Sequence, residues 1–581
     1  MADVSIVPID LSGISDRAEA EQQRREEIAE ATTHKGKTIV DTTEVLHIDG
    51  VAIIETLTVD EIGASVFDVL VNKSVRQQFP ELYNRSSGIS RIVGDKGRKH
   101  IEIVDTDILS GIIADNVVFR KLSMRKGGVV SEILMSPPRQ VVTYVLRNCD
   151  KTLLPSLDGI IAHPILTRNN EGDVVINSQE GYDSHSKLYI DCEVNYQPVD
   201  NISEIIDDFY GDFPYKSDAG LAATLSVALT HIIKPILGKS TRPPLFVTNA
   251  STNGAGKSYN TDVTYAGLLG RIAGSINFEN KTPIELGKLL YAEALAGKTY
   301  ANLDNADTAI GSALATYTSQ PYITDRILGF SRTAEIPNTL VISINGRSIE
   351  TSTEIADRGV SIDLHTEEPS SQREFKHPEL EDYIIENRDV YLSALLTMCE
   401  AWIEAGCPKS SHKSRMAVWA RHIGGILQTS QPTLAEAFLS DADDFRRASD
   451  QRYMDFCEAL RAIVDGAEYD VNITIQSEDG NYISQQSVFV DGPGLDTEFS
   501  TSDVFQLLSY TNAYRGEDGY VNESGANLLG QHMEYSGNHE TRRKSVLTQL
   551  LRSESNRPFG KYKIIDCGTQ RKLRMFKVAE V

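Results

Sequence analysis

Cysteine is scarce in this chain, with six in 581 residues and no two in a C-x-x-C pair. A cysteine zinc site and a disulfide-stapled fold are therefore excluded as organising principles, and a reducing compartment fits. Long apolar runs are missing too. The nearest, residues 219–233, is interrupted by Thr224, Ser226, Thr230 and His231, so it reads as a buried helix and not a membrane span. The opening MADVSIVPIDLSG lacks the basic start and apolar stretch of a secretion signal. A cytoplasmic protein with no membrane partner is the expectation. Positive charge is also short: 57 Lys and Arg face 82 Asp and Glu, a net charge of −25, which argues against coating nucleic acid by bulk electrostatics.

What is present suffices for several packed cores, since 40% of the residues are hydrophobic and the length admits several domains. The scarce positive charge is also unevenly placed. Residues 541–581 hold eleven Lys and Arg against Glu554, Asp566 and Glu580. A basic module on an acidic body follows.

Patterning divides the chain into a multidomain α/β protein. Residues 1–38 read as a flexible charged arm, 39–150 as a small α+β domain, and 151–240 as a loop-and-strand segment with a helical lead-in. Short buried strands alternate with helices over 241–370, the pattern of a parallel sheet with flanking helices. Residues 371–470 read as helical, 471–496 as a hairpin or insertion, and 497–581 as a separate basic unit.

The strongest local signal is the run PLFVTN-ASTNGAGKS-YNTDV, an apolar strand feeding a glycine-containing loop and then a helix. Its chemistry requires that order. Backbone N–H groups of Ser251, Thr252, Asn253, Gly254, Ala255 and Gly256 curl round phosphates, and the helix beginning near Lys257, Ser258 and Tyr259 adds its positive end. Lys257 reaches the outer phosphates of ATP, and the Ser258 hydroxyl ligates Mg2+. Ser251 stands where the motif has its first glycine. A second strand ends in Asp304, a candidate Mg2+ acid, followed by Asn305 and Asp307 as weaker candidates for activating water. A third ends at Asn345, whose amide can orient the attacking water. Arg358 then precedes a fourth strand and suits an arginine finger acting on a neighbouring subunit, with Arg326 as runner-up. An arginine acting in trans requires a closed ring. His100 to Asp107 contains a D-x-D, read as a strand ending in two exposed acids and not as a primase metal pair.

These residues, together with HPILT and GYDSHSKLY (163–189), TPIELGKLL (282–290), LDNAD (303–307), TDRILGFS (324–331), DRGVSIDL (357–364) and VWARHIGGIL (418–427), resemble the helicase-type ATPases of phages and integrated elements. That family is the primase-associated branch of the AAA+ and superfamily-three helicases, and the resemblance spans roughly residues 155–427. It implies an AAA+-like core, ATP-driven translocation on or unwinding of DNA, a hexameric ring, replication partners such as a primase or polymerase, and the host cytoplasm. It also implies a DNA-gripping hairpin in the interval holding Arg326 and Arg332. The sequence departs from the family at Ser251 and at Asn345-Gly346, where paired Asn is more usual. A non-unwinding alternative, a nucleotide-gated loader or a packaging ATPase, stays open.

The basic tail reads as a winged-helix DNA-binding module. Ser500 and Asp503 supply a cap for its first helix; helices are expected over 527–535 and 541–552, and strands 561–566 and 573–578 pair across CGTQRK. Arg542, Arg543, Lys544 and Arg552 on the third helix, with Arg571, Lys572 and Arg574 on the wing, are the expected phosphate contacts.

Overall fold

The computed structural model describes residues 33–442 apart from short gaps, and pieces of the chain between 457 and 580. Five strands form the central sheet: β1 (Leu245–Ala250), β2 (Ile276–Asn277), β3 (Tyr300–Asp304), β4 (Val341–Arg347) and β5 (Gly359–Leu364). They lie in the order β2-β3-β4-β1-β5, every pairing parallel. Because strand side chains alternate, β1 serves two cores at once. Phe246 enters a cluster with Tyr265, Leu395, Trp402 and Trp419 from the helices Lys257–Leu269, Arg388–Glu404 and Ala417–Ser430. Leu245 and Val247 enter the opposite cluster with Leu286 and Leu290 of the helix Pro283–Leu295. Both faces are covered, which is why these strands read as continuous apolar runs.

After β1 the chain crosses to the far edge, steps back through β2, β3 and β4, and then passes β1 to place β5 on its other side. The strand order reverses at β1. The crevice outside the carboxyl end of that strand is where open α/β sheets bind ligands.

The helix from Asp218 to Ile236 alone, among the described residues, is long and apolar enough to cross a membrane, and 83% of its apolar window is buried here. It lies in the same core as Phe246.

The N-terminal region is α+β. The strands Thr33–His34, Lys37–Asp41, Val117–Met124 and Val130–Met135 form one sheet, and Tyr83–Arg85, Gly88–Val93 and His100–Ile103 another. Helices Val59–Val75, Thr106–Asn116 and Arg139–Asn148 bury Val66, Phe67, Ile113 and Val142 between them. Strand pairing already begins at Thr33, inside the stretch expected to be a flexible arm. The D-x-D acids have a structural use: the Asp105 carboxylate accepts from the N–H groups of Asp107 (2.9 Å) and Ile108 (2.8 Å) and so caps the helix Thr106–Asn116. The region is clamped to the central unit by buried Arg85, which donates to the carbonyls of Leu295 (2.5 Å) and Ala294 (3.3 Å) at the end of Pro283–Leu295. Helix ends leave carbonyls without intrahelical partners, and a guanidinium matches both their hydrogen-bonding need and their negative dipole end.

A hairpin, Tyr322–Arg326 with Thr333–Pro337, projects between β3 and β4 in chain order. Beyond the helical region, Ala467–Ser477 and Gly480–Val490 pair as a second hairpin, starting slightly before the expected 471.

In the tail, Asp503 accepts from the Ser500 N–H (2.7 Å) and the Ser500 hydroxyl accepts from the Asp503 N–H (3.3 Å), the reciprocal cap that the sequence announces. Strands Tyr562–Gln570 and Leu573–Glu580 pair, so both run longer than expected. The expected helix at 527–535 and most of that at 541–552 lie outside the described residues.

Candidate active site

The glycine loop stands at the carboxyl end of β1. Gly254 (φ 82°) and Gly256 (φ 87°) both occupy the left-handed region, which explains glycine at these two places. Gly256 caps the helix Lys257–Leu269 with no side-chain hydrogen bond, and no acid sits in the first turn. The N–H groups of that turn therefore have no side-chain cap among the described residues, the arrangement that helix starts offer to anions. The Lys257 side chain, half-buried at the first helical position, makes no hydrogen bond or ion pair among the described residues. Tyr259 lies half-buried on the same turn near Phe213, with ring centroids 6.2 Å apart. Ser251, Thr252 and Asn253 lie outside the described residues, as does Asp307.

The Ser258 hydroxyl donates to Asp304 Oδ1 at 2.9 Å, joining the loop helix to the tip of β3. Asn305 follows with φ 58° and donates its own N–H to the same oxygen (2.9 Å). Asparagine tolerates the left-handed region, so the chain can turn away there and leave the Asp304 carboxylate at the edge of the crevice. The Asn305 side chain is exposed.

Asn345 is placed differently from the expectation. It is fully buried, and both ends of its amide are engaged: Oδ1 accepts from the Thr261 hydroxyl (2.6 Å) and Nδ2 donates to Asn302 Oδ1 (3.1 Å). In this arrangement it does not present its amide to water at the strand tip. Its carbonyl accepts from the Ala306 N–H (3.0 Å), which ties the tips of β3 and β4 together. That approach accounts for Gly346, where a Cβ would sit 2.0 Å from the Ala306 carbonyl oxygen. A second asparagine, as in the resembling family, does not fit this geometry.

Two residues that the motif reading passed over complete the network. Asn302 Nδ2 donates to Asp262 Oδ1 at 2.9 Å. Burial, then Glu381, pushes the Asp262 carboxyl up to about 6, with Asp304 adding to the effect against the Asn302 hydrogen bond. The signal was available in the spacing: Asp262 is four residues after Ser258 on one helix face, and Asn302 two before Asp304 on one strand face. Arg388, also missed, donates to the carbonyls of Gly267 (3.2 Å) and Leu268 (2.8 Å), and to that of Ala162. It covers the last turn of the helix whose other end carries Lys257.

Arg358 is half-buried at the amino end of β5, where its carbonyl accepts from the Leu245 N–H (2.9 Å). At about 3.3 Å per residue along β1, it stands roughly 16 Å from the loop of its own chain. Arg326 and Arg332 are exposed on the two arms of the projecting hairpin, whose tip residue Leu328 is 96% exposed.

In the tail, the Arg574 guanidinium holds Asp566 through Nη2 (2.5 Å) and Nε (3.1 Å), an ion pair within its own hairpin. Arg552 is exposed, while Arg542, Arg543, Lys544, Arg571 and Lys572 lie outside the described residues.

The fold and these residues define an α/β protein with a glycine loop entering a helix beside an acidic strand tip, at the switch point of a parallel sheet. No family model matches the chain, and no curated protein matches it. Among solved structures it is similar to the apo C-terminal region of NrS-1, at 11% identity and a TM-score of 0.35 over 68% of this chain and 78% of that one. It is also similar to the active helicase Cch of SCCmec type IV, at 10% identity and a TM-score of 0.31 over 87% of this chain and 98% of that one.

Proposed function

We propose that the chain is an ATPase that binds ATP with Mg2+ at the loop after β1 and couples hydrolysis to work on DNA. One observation carries the reading: Ser258 and Asp304, assigned to one metal from separate motifs, meet at 2.9 Å at the end of a glycine loop. The donor set suits Mg2+, being a hydroxyl and a carboxylate with the remaining positions left to water and phosphate oxygens. When bound, the ion neutralises charge developing on the phosphoryl oxygens. The chain's own groups do the rest. Backbone N–H groups from Gly254 to Ser258 hold phosphate, Lys257 brings a mobile positive charge to its outer end, and the Asp304 carboxylate fixes the approach from β3.

Arg358 supports a ring. At the far end of the sheet it cannot serve its own loop, and a head-to-tail contact that closes brings such a residue to the neighbour's. Arg326, Arg332 and the protruding Leu328 support DNA contact by the hairpin, and the tail supports a second contact through a winged-helix-like module. The inward-turned Asn345 favours the alternative of a nucleotide-gated loader with slow hydrolysis, and strand displacement on forked DNA separates the two. Lys257→Ala abolishes DNA-stimulated ATP turnover while leaving thermal unfolding unchanged. If the unmodified protein shows no turnover above this variant, the ATPase reading is wrong.

A further inference from the structure

Thr248, Thr261, Asp262, Asn302 and Asn345 come from β1, the loop helix, β3 and β4, and they form one continuous chain of hydrogen bonds below the phosphate loop. Asn302 donates to Asp262 (2.9 Å), Asn345 to Asn302 (3.1 Å), and Thr261 to Asn345 (2.6 Å), while the hydroxyls of Thr261 and Thr248 lie 3.3 Å apart. Four of the five are nearly or fully buried, with Thr248, Asn302 and Asn345 at 1% exposure or less and Thr261 at 5%.

Direction in such a chain is not arbitrary. An ionised carboxylate only accepts. Asn302 must therefore turn its NH2 toward Asp262, which aims its carbonyl oxygen at Asn345. Asn345 must then donate, which leaves its own oxygen for Thr261. One acceptor at the end of the row sets every link after it, and in a buried site each link strengthens the next.

The location gives this order a use. Asp262 is one helical turn beyond Ser258, and Asn302 is two residues before Asp304, so helix and strand are joined by two rungs, Ser258–Asp304 and Asp262–Asn302. The upper rung holds the candidate metal ligands. The lower rung continues to Asn345, next to Gly346 at the tip of β4. Since Ser258 and Asp262 ride on one rigid helix, a displacement of Ser258 is carried to that tip.

We propose that Asp262 is a positioning residue which, through Asn302, fixes the direction of the Asn345 amide and couples the tip of β4 to the phosphate loop. It touches neither nucleotide nor metal. This rests on the ATPase reading of the same site.

The test is steady-state ATP turnover with forked DNA, alongside equilibrium binding of a fluorescent ATP analogue with Mg2+. Asp262→Asn is nearly isosteric but presents either an oxygen or an NH2, so both directions of the row become satisfiable and Asn345 loses its single orientation. The expected result is a kcat lower by about tenfold, the scale of a small misplacement at a reacting centre, with KM and analogue affinity unchanged. Asp262→Glu keeps an acceptor-only group and retains more of kcat than Asp262→Asn. Asn302→Ala cuts the row and reproduces the deficit, and the double variant Asp262→Asn/Asn302→Ala is no worse than either single one. If Asn302→Ala does not fold, the contrast between Asp262→Asn and Asp262→Glu still decides.

Unchanged kcat in Asp262→Asn overturns the inference, as do deficits that multiply in the double variant, or a KM that rises in step with the loss. A wild type no more active than Lys257→Ala shows a different pattern. It sinks the ATPase reading, and this inference with it.

Discussion

The phosphate-loop crevice and the basic tail both attract notice in the sequence, one for its motif and the other for its charge, and the structure treats them in opposite ways. At the crevice, residues from β1, β3, β4 and the loop helix converge on one another across long sequence separations, and Lys257 stays without a partner among the described residues. In the tail, three of the described positive groups find carboxylates close by. Arg574 pairs with Asp566, Lys561 with Glu580 (3.2 Å) and Lys577 with Asp496 (3.7 Å). A charge counted along a chain is therefore not by itself a free charge at a surface. What matters is whether each charge has a partner, and the tertiary arrangement decides that.

The most severe test of this contrast is at the crevice. Asp304→Asn should lower ATP turnover by about a hundredfold or more, because it removes the carboxylate at the metal-binding edge and keeps the shape. Turnover within a few-fold of wild type, in a Mg2+ titration, would place the metal acid elsewhere.

Next comes the helix that bears the loop. Arg388→Met leaves the carbonyls of Gly267 and Leu268 without their guanidinium and should cost about 3 kcal/mol in urea unfolding. Stability equal to wild type would show that the far end of the loop helix needs no such cover.

A smaller effect comes from the core beneath the sheet. His163 and His231 are both buried, with ring centroids 5.6 Å apart. Burial holds His163 down at about 4 and His231 well below the ordinary value. The unfolded chain takes up these protons near the usual 6.5 and the folded one does not, so stability is full above 6.5 and is lost as pH falls toward 4. His163 alone should contribute a loss of about 2 kcal/mol at pH 5. Replacement by Phe should flatten that part of the urea-midpoint profile. An unaltered profile would mean that the imidazole is protonated in the fold.

The smallest effect belongs to the tail. Deleting residues 497–581 should weaken DNA binding and reduce its log–log salt slope by about 0.9 for each phosphate contact removed. Arg574→Ala should change the slope by much less than one such step, since that guanidinium already holds Asp566. A full step lost in Arg574→Ala would mean that the ion pair opens on DNA and would erase the contrast between the two regions.

Much of the fold was legible because its signals are local. Short apolar runs spaced by helical segments announced the central sheet, Gly254 and Gly256 announced a tight loop into a helix, and Ser500 with Asp503 announced a cap. The sequence also singles out Ser258 and Asp304, since each occupies a strand tip or helix start whose position follows from its own segment, but that they touch is a finding of the structure. The sequence places Asn345 at a strand tip facing water, and the structure turns it inward. Its orientation depends on Asp262 and Asn302, which lie on other elements and carry no motif of their own.

By itself the sequence determined which segments become strands and helices, where the chain must turn through positive φ, and which residue types are available for phosphate and metal. Those properties depend on side-chain periodicity, backbone sterics and capping within a few residues. Only the tertiary structure decided the strand order that puts the switch point at β1, the distance that separates Arg358 from its own loop, and the partners that neutralise Arg574 and fix Asn345. Each of these requires two distant segments to meet. A buried hydrogen bond or ion pair takes its direction from whatever lies opposite, and a linear sequence does not state what that is.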